Sequence, residues 1–126
     1  MTIKTNFVSL VGRVGKYKEC KSFENGGFLC TIGLGVKSGD NWENIFIDFF
    51  NTQNRNLAEE AGDKLKEGMY IHVKARLRIN KFTPEYLKGQ TDENGNEKTI
   101  SQLKVRAFDF KPVKYDEESE TFTYIE

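Results

Sequence analysis

Between Met69 and Phe82 the chain reads MYIHVKARLRINKF, fourteen residues with no proline or glycine among them. A β-strand sends successive side chains to opposite faces. Read as a strand, this stretch puts Met69, Ile71, Val73, Ala75, Leu77 and Ile79 on one side and Tyr70, His72, Lys74, Arg76, Arg78, Asn80 and Phe82 on the other. The first face can enter a core. The second presents a row of cations bracketed by aromatics, which suits a polyanion carrying flat bases. The plainer reading is a long edge strand whose Lys and Arg residues solvate it and discourage edge-to-edge pairing.

The rest of the chain bounds the choice. At 126 residues, 37% hydrophobic and 30% charged, it suits one domain with a modest core. No apolar run approaches membrane-spanning length. The N-terminal MTIKTNFVSLVG lacks the apolar block and small-residue cleavage site of an export signal, so the cytoplasm is the expected location. The formal net charge of zero hides a split. Residues 1–115 hold 19 basic against 14 acidic residues, a net +5, whereas Asp116, Glu117, Glu118, Glu120 and Glu126 give the remainder −5. We expect a binding domain over residues 1–113 and a short acidic tail over 114–126, placed to compete weakly with a polyanion for the basic face; a solvated, frayed end is the plainer alternative.

Cys20 and Cys30, the only cysteines, flank a hairpin expected at Asn25-Gly26. A two-residue turn there sets Cys20 opposite Thr31 and sends the sulfurs to opposite faces, which excludes a disulfide. A three-residue loop would bring them together, but a cytoplasmic chain of this size needs no such staple. Two cysteines and one histidine do not make a zinc site, and no metal or other cofactor is expected.

In chain order, Asn6 to Val14 reads as a strand with Val8, Leu10 and Val14 on one face and Gly12 marking a bend. Lys16, Tyr17 and Lys18 follow as a basic patch. Glu19 to Phe23 and Phe28 to Val36 form the hairpin, with Phe28, Cys30, Ile32, Leu34 and Val36 on the core face. Trp42 to Asn51 sets Ile45, Ile47 and Phe49 against Trp42, Asn44, Phe46, Asp48 and Phe50. The aliphatic face makes the better core and the aromatic-polar face the better open platform. Leu57, Ala58, Ala61 and Leu65 recur at helical spacing up to Gly68. After the long strand, Thr83 to Lys98 is polar and turn-rich and reads as a projecting hairpin arm bearing Tyr86 and Lys88. Thr99 to Phe110 is the last strand, with Leu103, Val105 and Ala107 inward and Pro112 ending it.

Three strands, a short helix and two further strands give the order of an all-β, five-stranded Greek-key barrel, the oligonucleotide- and oligosaccharide-binding (OB) fold, with the helix between strands 3 and 4 and a long arm between strands 4 and 5. The segments NFVSLVGRVGK, NGGFLCTIGLGV, LAEEAGDKLKEG and VKARLRINKF, in that order from Asn6 to about Val113, resemble the bacterial and bacteriophage single-stranded DNA-binding proteins. The resemblance implies base stacking by Phe82 and by Phe50 at the end of strand 3, and Trp42 is similar to either of two family tryptophans. It also implies a homotetramer, with Asn6 to Leu10 as a pairing edge and Tyr70 and His72 at a second subunit contact. The chain departs from the family where it closes in TFTYIE, without the long linker and final Pro-Phe through which family members recruit replication and recombination proteins. Its compact length resembles a phage-encoded member, whose location would be the host cytoplasm.

Alternation and resemblance together give a candidate nucleic-acid site of Lys16, Lys18, Trp42, Phe46, Phe50, Lys74, Arg76, Arg78, Phe82, Tyr86 and Lys88. The expected activity is sequence-nonspecific binding and protection of single-stranded DNA in replication, recombination or repair. An accessory barrel of a primosome, or an RNA-binding one, is the alternative, since fold alone does not separate them. Catalysis is not expected: His72, the sole histidine, lies on a strand with no acid or nucleophile in a partnering motif. No small-molecule substrate or membrane partner is implied.

Overall fold

A computed structural model describes residues 2–24 and 26–125. Six strands and one α-helix follow in the order β1 (Val8–Ser22), β2 (Phe28–Ser38), β3 (Asn41–Phe50), α1 (Leu57–Lys64), β4 (Tyr70–Phe82), β5 (Ile100–Asp116) and β6 (Thr121–Tyr124). The sheet order is β3-β2-β1-β4-β5-β6, and a parallel pairing of β3 with β5 at Ile47↔Val105 and Phe49↔Ala107 closes the first five strands into a barrel. This is the OB architecture expected from the order of elements, with α1 between β3 and β4.

Closure depends on β1. Its first half, Val8 to Arg13, pairs with β4, and from Gly12 onward it pairs with β2. A strand shared by two neighbours in this way must curl. The irregularity lies between Val14 and Lys18, where the register with β2 shifts, and not at Gly12 as the sequence suggested. Gly12 stays in register with both Val36 and Ile71. Its need for glycine is steric, because a Cβ there would stand 2.3 Å from the Gly35 carbonyl oxygen.

The core holds Val14, Cys30, Ile32, Leu34, Ile47, Phe49, Ile71, Val73, Ala75, Ala107 and Phe110, with Leu57, Ala58, Ala61 and Leu65 of the helix. The inward faces assigned by alternation to β2 and β3 are thus buried. Helix α1 is capped by Asn51, whose Oδ1 accepts from the amides of Ala58 and Glu59 at 2.8 and 3.3 Å. Arg55, just before the helix, bridges Glu60 and Asp109, both at 2.7 Å. At the other end the Lys18 ammonium donates to the carbonyls of Gly62 and Leu65.

Three expectations are corrected. First, Cys20 and Cys30 are register partners, 4.1 Å apart at Cα and joined by a disulfide. Asn25 lies outside the described residues, but Phe23 N–H donates to the Gly27 carbonyl, Gly26 N–H donates to the Phe23 carbonyl, and Gly26 has φ of 87°. The loop therefore spans three residues, and its extra residue moves Cys20 from opposite Thr31 to opposite Cys30. Second, β4 has a buried face only as far as Ala75; Leu77 and Ile79 are exposed. The ladder with β1 ends at Val8↔Ala75; beyond it β4 pairs with β5 alone, and past Leu77↔Val105, where β5 parts from β3, the two run on as a two-stranded ribbon. Third, β5 does not stop at Pro112 but runs to Asp116, and the acidic segment folds back as a turn and β6. The β6 ladder reaches only Val113, so at Pro112 the far side of β5 is an open edge where a missing N–H is tolerated. Of the expected arm, Glu85–Leu87 forms one 3-10 turn and Thr91 bridges Glu97.

Candidate nucleic-acid interface

The curl of β1 and the parallel closure of β3 onto β5 leave a cleft of about 920 Å³ between the outer face of β2–β3 and the root of the β4–β5 ribbon. Period-two alternation on β3 supplies its platform. With Ile47 and Phe49 inward, Phe46 and Phe50 stand on the open side; Phe46 is 51% exposed and Phe50 half-buried. Tyr17, thrown outward by the β1 irregularity, packs edge-on against Phe46 with centroids 5.1 Å apart. The cations come from the ribbon: Arg78 from β4, Lys104 and Arg106 from β5. The Arg106 guanidinium lies 4.1 Å from the Phe50 ring centroid, a cation–π contact.

Asp48 lies between the two phenylalanines in sequence and is the buried polar residue of the platform. It is satisfied by the Thr31 hydroxyl, which donates to Oδ1 at 2.6 Å, and Arg106 is its partner across the parallel pair. At the lip, the Tyr17 hydroxyl donates to Glu19 at 2.6 Å and Lys21 pairs with the same carboxylate at 3.2 Å. Those two contacts, the tyrosine bond first, hold the Glu19 carboxyl below the usual range, and the bond to Glu19 raises the Tyr17 hydroxyl. Glu19 therefore stays anionic and occupies Lys21. Among the described residues, the cleft cations without a carboxylate ion pair are Arg78, Lys104 and Arg106.

A second groove of about 540 Å³ adjoins the first through Asn44, which lines both. It holds Trp42, half exposed, with Lys16, Arg13 and Tyr70. The candidate residues thus divide. Phe46, Phe50 and Arg78 meet in the cleft, and Trp42 and Lys16 meet in the groove beside it. Lys18 is turned to the end of α1. Lys74 is the register partner of Asp109, and Arg76 lies over Phe108, 4.7 Å from its centroid. Phe82 pairs with Ile100 at the ribbon's far end, 37% exposed. Tyr86 is exposed in the arm, and Lys88 pairs with Glu85 at 2.8 Å. The row of cations along β4 is therefore divided: a bulge between Lys74 and Ala75 breaks its register with β5, Arg76 is taken up by Phe108, and Arg78 lines the cleft.

The family-model comparison matches the single-strand binding protein family over residues 5–111. The chain belongs to that family. Among similar proteins, a single-stranded DNA-binding protein 1 of Nostoc sp. is 34% identical over 79 residues, covering 62% of this chain and 65% of its own length. One from Synechocystis sp. is 30% identical over the same shares. The single-stranded DNA-binding protein of Neisseria meningitidis is 30% identical over 88 residues, 61% of this chain and 47% of its own. The chain thus spans about half to two thirds of the length of these relatives.

For this member of the single-strand binding protein family, sequence reasoning missed Lys104, Arg106 and Tyr17 as cleft residues. The signal was present for the first two: in TISQLKVRAFDF, Lys104 and Arg106 alternate with Leu103, Val105 and Ala107, the same pattern that singled out β4. Of those three, all expected inward, Ala107 is buried, Val105 half-buried and Leu103 60% exposed on the ribbon, beyond the reach of the core. Tyr17 was read only as part of a basic patch with Lys16 and Lys18, because its contact with Phe46 depends on the register shift between β1 and β2. Among the described residues, no group of three or more His, Cys, Asp or Glu side chains is placed to hold a metal, and no helix is long and apolar enough to cross a membrane.

Proposed function

We propose that this chain binds single-stranded DNA without sequence preference and covers it during replication, recombination or repair. One observation carries the reading: two outward phenylalanines, Phe46 and Phe50, share a cleft with Arg78, Lys104 and Arg106, in a chain of the single-strand binding protein family. Every base has a π-face, so stacking on these rings is worth about 1–3 kcal/mol per base whatever the sequence. The cations displace counterions from the phosphates, which adds an affinity that falls with salt. Trp42 and Lys16 extend the same chemistry into the adjoining groove. Phe82, Tyr86 and Lys88 belong to this reading as contacts of the arm, which closes over longer strands.

The same reading includes a homotetramer. It is supported by the edge of β1 at Val8–Val11, which pairs with β4 on one side, while the β2 ladder starts only at Gly12. Sedimentation of a monomer at micromolar concentration would remove it. Binding is tested by titrating Trp42 fluorescence with oligo(dT), oligo(U) and duplex DNA at two salt concentrations. Tight, salt-weakened binding to oligo(dT) with weak binding to duplex is expected. Preference for oligo(U), or feeble binding to every strand, would point instead to the RNA-binding or accessory reading.

A further inference from the structure

Phe50 and Arg106 both line the cleft, and in the free protein each occupies the other. The Arg106 guanidinium lies over the Phe50 ring, 4.1 Å from its centroid, well inside the range of a cation–π contact. It therefore covers the ring face on which the platform would take a base. Asp48 is the register partner of Arg106 across the parallel β3–β5 pair, but its buried carboxylate accepts from the Thr31 hydroxyl. No ion pair joins Arg106 to Asp48 or to any other carboxylate among the described residues. On the β4 side Arg106 stands directly opposite Arg76, and the next pair on the same face of the ribbon, Arg78↔Lys104, is like-charged as well. Like charges placed opposite each other repel across a ladder. Arg76 turns away to Phe108, 4.7 Å from its centroid, and Arg106 lies down on Phe50, so both arginines of the first pair rest on rings and neither on an anion.

We propose that Arg106 makes the cleft selective for a single strand: in the free protein it holds the place of a base on Phe50, and it exchanges that ring for a phosphate when a strand enters. The inference rests on the proposed function of the cleft and deepens it. The exchange needs two parts of one ligand. A phosphate beside Arg78 and Lys104 offers the guanidinium a bidentate, charge-assisted contact and offsets the repulsion of the like-charged pairs. An unpaired base then fills the vacated ring. A polyanion without open bases, duplex DNA included, draws the guanidinium away but leaves the ring bare. A free base brings no phosphate to draw it. An exposed cation–π contact is weaker than a base stack, so a strand that supplies both groups wins the exchange.

Two measurements test this. In the free protein the Arg106 side-chain protons lie in the ring current of Phe50, so their NMR resonances should stand upfield. They should return towards ordinary positions in Phe50→Leu and in wild type saturated with oligo(dT); the wild-type comparison holds even where a variant does not fold. The second measurement is affinity for oligo(dT) across salt. Arg106→Ala should bind more weakly than wild type at low salt, where the lost phosphate contact dominates. At about 1 M salt, where that contact is screened, it should bind about 2- to 5-fold more tightly, the equivalent of an uncovered ring, so the two salt curves cross. In a Phe50→Leu background the same replacement should give no gain at high salt. Resonances that stay upfield in the DNA complex would overturn the proposal and make the guanidinium itself the surface on which a base stacks. Weaker binding by Arg106→Ala at every salt concentration would overturn it in favour of a plain contact, as would a high-salt gain that persists without Phe50. Failure of wild type to bind oligo(dT) at all would remove the cleft reading and this proposal together, and is distinguished by Arg106 resonances that do not respond to DNA and by the absence of any affinity to compare.

Discussion

Phe50 and Arg106 show how two residues of one site should fail differently. Replacing Phe50 by Ala removes a ring from the platform without removing a charge. DNA binding should weaken by about 1–3 kcal/mol while the slope of log affinity against log salt stays unchanged. Replacing Arg106 by Ala should instead flatten that slope by roughly 0.7, the single-strand value for one phosphate contact. Titrations at several salt concentrations separate the two. His72 offers a prediction on stability. Its ring nitrogens meet the Ser9 hydroxyl at 2.7 Å and the Tyr124 hydroxyl at 2.5 Å, so it ties β1, β4 and β6 together. Burial first, and then Lys74, lower its pKa from 6.5; Asp109 opposes them, and Lys111 adds the smallest lowering. The unfolded chain therefore binds the proton more tightly than the folded one, and stability that is full above 6.5 should decline as pH falls through that value towards the folded pKa. Because His72 is the only histidine, His72→Gln should flatten the decline of the urea midpoint between about pH 7.5 and 5.5.

At the scale of elements, the β1–β2 hairpin carries the lesson. Its strands were legible, because core-facing Cys30, Ile32 and Leu34 recur with the period of the backbone itself. Its register was not. One residue of loop length decides whether Cys20 faces Thr31 or Cys30, and loop length is set by the Phe23–Gly27 contacts and the positive φ of Gly26. The pair is seated against α1, where a Cβ on Gly62 would stand 3.2 Å from the Cys30 sulfur. Under non-reducing denaturation no free thiol should titrate, and two should appear after reduction. By chain entropy alone, closing a loop with the Cys20–Cys30 sequence separation of 10 is worth about 2–3 kcal/mol, which reduction should remove from the unfolding free energy. Two titratable thiols in the untreated protein would mean that the bond does not form.

For the whole molecule, the acidic end is a structural part of the sheet. Phe122 of β6 packs on Tyr115 at 4.7 Å and on Tyr70 at 5.8 Å, and Tyr70 stacks with Tyr115 at 5.5 Å. Removing residues 117–126 should uncover this cluster and lower stability by about 2–3 kcal/mol, the burial of one large aromatic, as read by thermal unfolding. DNA affinity at low salt should change little. Tighter binding without loss of stability would return these acids to the role of a tail competing with DNA. The sequence by itself determined which face of each barrel strand turns inward, where the helix falls and the order that makes an OB barrel, since these follow from backbone periods and turn residues close along the chain. Only the tertiary structure decided where the inward face of β4 runs out of core, which cysteines meet, and that the cleft's charge comes from Arg106 and Lys104 as much as from β4. Those outcomes depend on which strands lie alongside and how far they twist, and strand pairing joins residues far apart in sequence, where no local pattern records it.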